Sequence, residues 1–268
     1  DEGRFYNESE SNSGSAVIVL GNEIASGLFE GANPIGKNIR MYGQKFTVVG
    51  VLKKKGFELN RRFFTRIKQQ RPYFILKWAQ TANGYFAPLG NVQKWITGSI
   101  AKDISHKWRS EEDAILVGKQ TALIDNPQLT NRSGIGKNPI RILIDRNLSI
   151  PTTNNLYNEE AKTIIFNEVK TEVIGNVHFV QMEDMHFYLA QKIAFQLYLM
   201  DIQSVIIEGG AVILNLFLEA KLWDEARVFS SGTNWPTGVS APEINGIISE
   251  VCALGEDTLT IYKPNHLV

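Results

Sequence analysis

The chain has 268 residues, 43% hydrophobic and 21% charged, with 28 basic and 28 acidic side chains in formal balance, the composition of one large globular domain or two small ones. Tyr73-Phe74-Ile75-Leu76 stops at Lys77 and Val205-Ile206-Ile207 stops at Glu208, far short of the roughly 20 apolar residues a membrane span needs, so a channel is excluded, as are a coiled coil and a disordered regulator. Residues 1–30 hold six acids and one base, residues 31–110 sixteen bases and two acids, and residues 111–268 eleven bases and twenty acids; a basic middle suits phosphate-bearing partners, while nucleic acid lacks any RNP-like or helix-turn-helix signal.

Read in chain order, Ala16 to Gly21 is a short buried strand, and Asn22 to Phe29 one or two helical turns capped by Asn22. Ile39 to Leu52 is a pair of strands around a turn at Gly43. These 56 residues are too few to bury a core of their own. With Gly3-Arg4-Phe5, Ala16 to Gly21, Asn33-Pro34-Ile35-Gly36-Lys37 and Phe46 to Val51, the stretch resembles part of the periplasmic core domain of macrolide-export-type ABC transporter permeases. Residues 1–56 are expected to be no independent domain. A seam lies near Lys53-Lys54-Lys55-Gly56, as a fusion, an assembly error or an engineered junction would produce, and Arg61 to Pro72 reads as a basic, polar connector.

From Phe57 to Val268 the texture is that of a second domain. Tyr73 to Ala79 is an apolar strand, and Thr97 or Ser99 caps a helix that runs towards Arg109. Strands follow at Ala114–Gly118, Ile140–Asp145, Thr163–Phe166 and Val177–Val180. A long helix spans His186 to Met200, before a strand at Ser204–Glu208, a helix at Ala211–Ala220, and strands at Glu225–Phe229 and Thr258–Tyr262. Near-continuous apolar strands alternating with helices predict an α/β fold, a largely parallel sheet with helices on both faces, preceded by a short β-rich segment.

In such sheets ligands sit beyond the carboxyl ends of the strands. Glu208-Gly209-Gly210 stands there, opening the helix from Ala211. It reads either as a tight turn with a solvated glutamate, or as two glycines that let a ligand approach while the helix start offers N–H groups to a phosphate. Thr121 and Asp125 are four apart on a helical turn; they serve as a cap and a turn residue, or jointly hold a ribose or amide. Arg132 suits a bidentate phosphate clamp. Trp95 fits a core role or stacking on a flat ring equally well. His106 is expected to face solvent.

One cysteine, Cys252, and four histidines without CxxC or HxxxH spacing make a metal site unexpected. Cys252 reads as a small buried hydrophobe, and the absence of any internal disulfide leans towards a reducing compartment. No GxGxxG or GxxxxGK[ST] loop is present, so a nicotinamide cofactor has to be held another way. The start at Asp1, without a signal-like segment, reads as a fragment or processed product.

Together, Leu76-Lys77-Trp78-Ala79-Gln80-Thr81-Ala82-Asn83-Gly84, Gln93 to Gly98, Arg109 with Asp113 to Gly118, Thr121 to Arg132, Ile144-Asp145-Arg146 and Glu208-Gly209-Gly210 closely resemble the reductase domain of bifunctional riboflavin-biosynthesis deaminase–reductases, of dihydrofolate-reductase-like fold. The resemblance implies NADPH-dependent reduction of 5-amino-6-(5-phosphoribosylamino)uracil to its ribitylamino form, in a cytoplasmic homodimer. By it, Ala79, Trp95, Thr121, Asp125 and the run Gly210, Ala211, Val212, Ile213, Leu214, Asn215, Leu216 hold the dinucleotide. Gln93, Arg109, Leu129, Arg132 and Glu208 hold the phosphorylated substrate, and Lys77 or Asp125 relays a proton. Asn83 replaces the family's usual aspartate, and Gln93 a common serine. The zinc deaminase's His-x-Glu and Cys-rich motifs are missing, so deaminase activity is not expected. A reductase of another pterin or pyrimidine, and a non-catalytic binding module fused to a transporter fragment, are the competing readings.

Overall fold

The computed structural model describes residues 2–4, 7, 9–10, 14–30, 32–41, 43–52, 60–90, 94–132, 134 and 136–265. They fall into two compact units, Asp1–Lys68 and Gln69–Val268. The junction expected at Lys53 to Phe57, and Gln93, lie outside the described residues.

In the first unit, β1 (Glu2–Gly3), β2 (Val17–Gly21), β3 (Asn38–Met41) and β4 (Gln44–Leu52) form one sheet. The long strand β4 pairs in parallel with β2 and antiparallel with both β1 and β3. Helix α1 (Asn22–Phe29) lies between β2 and β3 in the chain, and Leu20, Ala25, Val48 and Val51 make a small core. Its N-cap is Gly21, without a side-chain cap bond, so Asn22 is the first helical residue and not the cap.

The expected connector from Arg61 is instead helix α2 (Arg61–Gln69). Its charge makes it read as a connector, but Phe63, Phe64 and Ile67 recur at helical i, i+3 and i, i+4 spacing, and Arg, Lys and Gln are strong helix formers. Arg66 and Lys68 complement the negative end of the helix dipole in its last turn, and Pro72 comes shortly after.

The second unit runs β5 (Tyr73–Gln80), β6 (Tyr85–Ala87), α3 (Ser99–Glu111), β7 (Ala114–Gly118), α4 (Lys119–Asp125), β8 (Ile140–Ile144), β9 (Thr163–Asn167), β10 (Glu172–Ile174), β11 (Val177–Gln181), α5 (Leu189–Leu199), β12 (Ser204–Ile207), α6 (Ala211–Glu219), β13 (Glu225–Ser230), β14 (Val239–Ser240), β15 (Gly246–Leu254) and β16 (Asp257–Pro264). Ten strands form one sheet in the order β10-β11-β9-β8-β7-β12-β5-β13-β16-β15. The seven from β11 to β13 are parallel; β10, β16 and β15 close the edges antiparallel.

Alternation along the strands sorts the core into two layers. Phe74, Leu76, Ile142, Ile164, Val205 and Ile207 pack on one face with Ala190, Ile193, Ala194 and Leu197 of α5 and Leu214 and Phe217 of α6. Tyr73, Ile75, Ile115, Val117, Leu143, Ile165 and Ile206 pack on the other with Ala122 of α4. The predicted parallel sheet with helices on both faces is therefore present.

Three local expectations differ. Neither Thr97 nor Ser99 caps α3: Gly98 is its N-cap, and the Gly98 N–H donates to Asp257 Oδ2 at 2.7 Å, from a strand 159 residues away. Helix α5 begins at Leu189 and not His186, because Asp184 (φ 49°) and Tyr188 (φ 53°) take left-handed conformations that end the preceding turn. Strand β15 has no counterpart among the elements expected from the sequence; as an edge strand it leaves Ile247, Ile248 and Val251 exposed and shows no buried alternation.

The start of the sheet is pinned by a buried ion pair. Arg71 Nη1 and Nη2 donate to Asp224 Oδ2 and Oδ1 at 2.6 and 2.8 Å, and the Phe74 N–H donates to Oδ2 at 2.8 Å. Asp224→Ala strands a buried guanidinium and an amide at once. It is expected to lower unfolding free energy by about 3–5 kcal/mol, read as a reduced midpoint in denaturant titration.

Candidate active site

A cleft of about 1150 Å³ opens at the carboxyl ends of the parallel strands, lined from β5 by Lys77 and Ala79, from α3 by His106 and Arg109, from β7 and α4 by Gly118 to Thr121, Ile124 and Asp125, and after β12 by Glu208 to Ile213. This is where a parallel sheet places its ligands. The volume exceeds the usual range for one drug-sized molecule, so two ligands can share the cleft.

Strand register assembles its charged centre. Ile207 of β12 lies beside Leu76 of β5 on one side and Leu116 of β7 on the other. The next residues along, Glu208 and Lys77, are thus neighbours, and the Glu208 N–H donates to the Leu116 carbonyl at 2.9 Å. Arg109 reaches in from α3, its Nη2 donating to Glu208 Oε2 at 2.8 Å, while Lys77 Nζ stands 3.9 Å from Oε1.

Burial pushes the Glu208 carboxyl upward, but Arg109 and Lys77 more than offset it, and the group ends below its ordinary value. Burial also dominates at Lys77, lowering its ammonium against the pull of Glu208 and with the push of Arg109. The centre is therefore a carboxylate held ionised between two cations, one of which gives up its proton more readily than a solvated lysine.

Helices α4 and α6 both start at this cleft, capped by Gly118 and Gly210 without any side-chain cap bond. In the first turn of α6 the Ile213 N–H donates to the Gly210 carbonyl at 3.0 Å, and the earlier N–H groups at such a helix start suit an anion. The glycines around them divide the work. A methyl on Gly118 would sit 2.7 Å from Ile213 Cγ1 and one on Gly209 2.8 Å from Ile213 Cβ, so both serve the close packing of α6 on the sheet. A methyl on Gly210 would meet nothing nearer than Thr121 Oγ1 at 3.7 Å. Of the Gly209-Gly210 pair, only Gly210 keeps room towards the cleft.

Most of the residues singled out in the sequence converge here. Ala79, Thr121, Asp125, Leu129, Arg132 and Trp95 all line the cleft. Trp95 is 68% exposed, with Lys102 Nζ 5.3 Å from its ring centre, so it is not a core residue. Burial raises the Asp125 carboxyl. Leu129 is buried with φ 51°, a conformation that turns the chain between Asp125 and Arg132. The Arg132 Nη2 donates to Gln128 Oε1 at 2.8 Å.

The run from Gly210 divides. Ala211, Val212 and Ile213 line the cleft, whereas Leu214 is fully buried in the core and Leu216 packs against that core. Asn215 is not among the lining residues either; a helix turns its side chains through every direction, so a contiguous run cannot all face one ligand.

Sequence reasoning missed three residues of the cleft. His106 is half-buried rather than turned out to solvent: it lines the cleft one turn before Arg109, and its Nδ1 is shut off from water without a hydrogen-bond partner. Lys119 and Arg146 also line it. The i, i+3 spacing of His106 and Arg109 was the available signal for the first. Asn83, the departure from the family's aspartate, proves structural: its amide donates to the Trp235 carbonyl at 2.7 Å and its oxygen accepts from the Trp235 N–H at 3.1 Å. A carboxylate could not do both.

A family model described as the RibD C-terminal domain matches residues 72–232. The chain belongs to that family. A model of the MacB-like periplasmic core domain matches residues 1–102, overlapping the RibD match at residues that form β5 and β6 of the second unit. The riboflavin biosynthesis protein RibD of Aquifex aeolicus is 34% identical over 229 residues, covering 80% of this chain and 64% of its own. That of a Synechocystis strain is 33% identical over 171 residues, or 62% of this chain and 46% of its own. A Thermotoga maritima crystal structure described as a diaminohydroxyphosphoribosylaminopyrimidine deaminase/5-amino-6-(5-phosphoribosylamino)uracil reductase superposes with TM-score 0.72 at 28% identity, over 82% of this chain and 64% of that one. The chain thus spans less than two thirds of these relatives. The Saccharomyces riboflavin biosynthesis reductase Rib7 shares the fold, with TM-score 0.56 over 99% of its length.

The glycine contrast is open to test in this RibD-family cleft. Gly209→Ala is expected to cost about 1–3 kcal/mol by overpacking against Ile213, whereas Gly210→Ala is expected to unfold within about 0.5 kcal/mol of the parent, as an unstrained surface change does. Chemical denaturation of the two variants side by side measures the difference.

Proposed function

We propose that the chain is the reductase of riboflavin biosynthesis, converting 5-amino-6-(5-phosphoribosylamino)uracil to 5-amino-6-(5-phosphoribitylamino)uracil with NADPH. The observation that carries this reading is the Lys77–Glu208–Arg109 centre beside two uncapped helix N-termini in one cleft. It supplies a substrate site and an anion site next to each other. The reading covers the reductase reaction alone, and no group of His, Cys, Asp and Glu among the described residues is arranged to hold a metal ion.

The residues fit a nicotinamide dinucleotide. The first turns of α4 and α6 would take its pyrophosphate, Thr121 and Asp125 its ribose hydroxyls, and the open face of Trp95 a flat ring. Gly118 pairs with Ile144 across neighbouring parallel strands, so Lys119 and Arg146 both follow the ends of β7 and β8, and both line the cleft. Two cations there favour the dinucleotide that carries an extra phosphate. When bound, the cofactor supplies the hydride.

The chain's own work is positioning and proton handling. Arg109 and Arg132 hold the substrate's phosphate. Glu208, fixed by Arg109, accepts hydrogen bonds from the sugar or the pyrimidine amine. The ribosylamine opens to an imine, and as its C1′ takes hydride the Lys77 Nζ delivers the proton to nitrogen. Its lowered pKa suits that role better than Asp125, which stays with the ribose. The phosphate clamp sets this reading above one of an unphosphorylated pterin, and the intact cleft sets it above a non-catalytic module. The exposed apolar edge of β15 supports association as a homodimer.

The deciding assay measures loss of reduced-nicotinamide absorbance with NADPH and the phosphoribosylaminopyrimidine. Substrate-dependent oxidation is expected, and its absence in folded protein removes the reading. Lys77→Met is expected to lower kcat by about 100-fold or more, the usual worth of a positioned proton donor. Arg146→Gln with Lys119→Gln is expected to shrink the preference for NADPH over NADH about tenfold, as loss of a charge-assisted contact does, read as the ratio of the two dissociation constants.

A further inference from the structure

Four atoms on residues lining the cleft are closed to solvent and without a hydrogen-bond partner: His106 Nδ1, Arg109 Nε, Arg146 Nε and Glu208 Oε1. A buried polar atom left unmade costs about 1–3 kcal/mol. Four of them on residues lining one cleft are an uncommon concentration, and they mark a place where a ligand completes the bonding. Arg109 and Glu208 already have roles in the proposed reduction. His106 has none, although the helix places it on the same face as Arg109, three residues earlier.

We infer that His106 joins Arg109 and Arg132 as a third ligand of a phosphomonoester, on the reading that the substrate's phosphate lies between the two arginines. The charges around the imidazole explain why a histidine is useful there. Arg109 and Lys102 face it from its own helix, Arg132 from the segment after α4, and Glu208 from the end of β12; Lys77 of β5 stands behind Glu208. Burial, with Arg109 and Arg132 next in weight, holds the imidazole below its ordinary pKa against the smaller opposing pull of Glu208. Its neutral form spares the site another uncompensated cation.

A phosphate dianion between the arginines reverses this balance. It cancels their repulsion and attracts a proton to the ring, so the pKa of His106 rises on binding. Binding therefore takes up a proton at pH values between the free and bound pKa of His106, and affinity falls as pH rises through the bound value. At the acid end the phosphomonoester itself protonates near a second pKa of about 6 and loses charge. Affinity therefore passes through a maximum between these two limbs, and the alkaline limb belongs to His106.

Ribose 5-phosphate is the probe, titrated calorimetrically into the full chain in two phosphate-free buffers of different ionisation enthalpy, with the imidazole signals tracked by NMR. The signal lost in His106→Gln identifies the residue among four histidines. The expected result is a His106 titration that moves to higher pH on saturation, proton uptake that disappears in His106→Gln, and affinity weaker by about tenfold, the worth of one charge-assisted hydrogen bond. His106→Asn, smaller but equally polar, is expected to behave like the glutamine variant, and circular dichroism confirms that both fold. In turnover, KM for the phosphoribosylaminopyrimidine rises while kcat holds. An unmoved His106 signal, or undiminished affinity in folded His106→Gln, overturns the inference, as does turnover in a parent chain that binds no ribose 5-phosphate. If the parent binds ribose 5-phosphate with proton uptake but oxidises no NADPH, the phosphate site stands and the reductase reading falls.

Discussion

The register of three parallel strands governs the cleft. Ile207 of β12 sits level with Leu76 of β5 and Leu116 of β7; β12 ends there, so Glu208 leaves the sheet beside Lys77, while β5 continues to Gln80 against β13 and β7 to Gly118 against β8. A slip of one residue would turn every side chain of β12 to the opposite face. Val205 and Ile207 would exchange core layers with Ile206, and Glu208 would no longer lie beside Lys77. The all-buried pattern of β7, β9 and β12 makes that slip costly. Chemistry at the strand ends thus rests on packing in the middle of the sheet.

Around that point, charge is arranged so that a cleft rich in cations does not repel itself apart. Glu208 takes up Arg109 and Lys77, and Asp145 turns inward to the Ile150 N–H and Ser149 hydroxyl. Burial and the nearby arginines keep His106 neutral. The remaining positive potential comes from Arg132, Lys119, Arg146 and two uncapped helix starts, all on the cleft wall. Fixed donors in a partly dry pocket keep their strength because they need not reorganise when an anion arrives. Elsewhere the second unit encloses its ions more completely: Arg71 with Asp224, and Arg227 and Lys263 around Glu225.

The N-terminal unit is built on a different plan. A single long strand, β4, serves three partners, and four buried apolar residues make its core. The second unit has two extensive layers. Stability from burial scales with the apolar area removed from water, so the two units are unequal by construction. The RibD C-terminal domain match lies within the second unit, whereas the MacB-like periplasmic core domain match covers the first and extends into the second as far as residue 102.

Much of the second unit was legible in the residues. Runs such as Ala114–Gly118 and Ser204–Ile207 have the length and β-branched content of buried parallel strands, and Glu208-Gly209-Gly210 marked the ligand end of the sheet. What failed were signals that are not local. Strand β15 is an exposed edge, and the brace of α3 is Asp257, distant in sequence. The run from Gly210 to Leu216 forms one helix start whose side chains divide between cleft and core. His106 was assigned to solvent by its polar neighbours, Ser105 and Lys107. The sequence by itself determined which segments must be buried strands and which residue types gather at their ends, because periodicity and composition are local properties. Only the tertiary structure decided that Lys77, His106, Arg109 and Glu208 share one wall, that Gly209 answers to Ile213 and Gly210 to the cleft, and that Asn83 holds a loop. Those facts depend on register and helix packing between segments up to 152 residues apart, and the separations along the chain do not encode them.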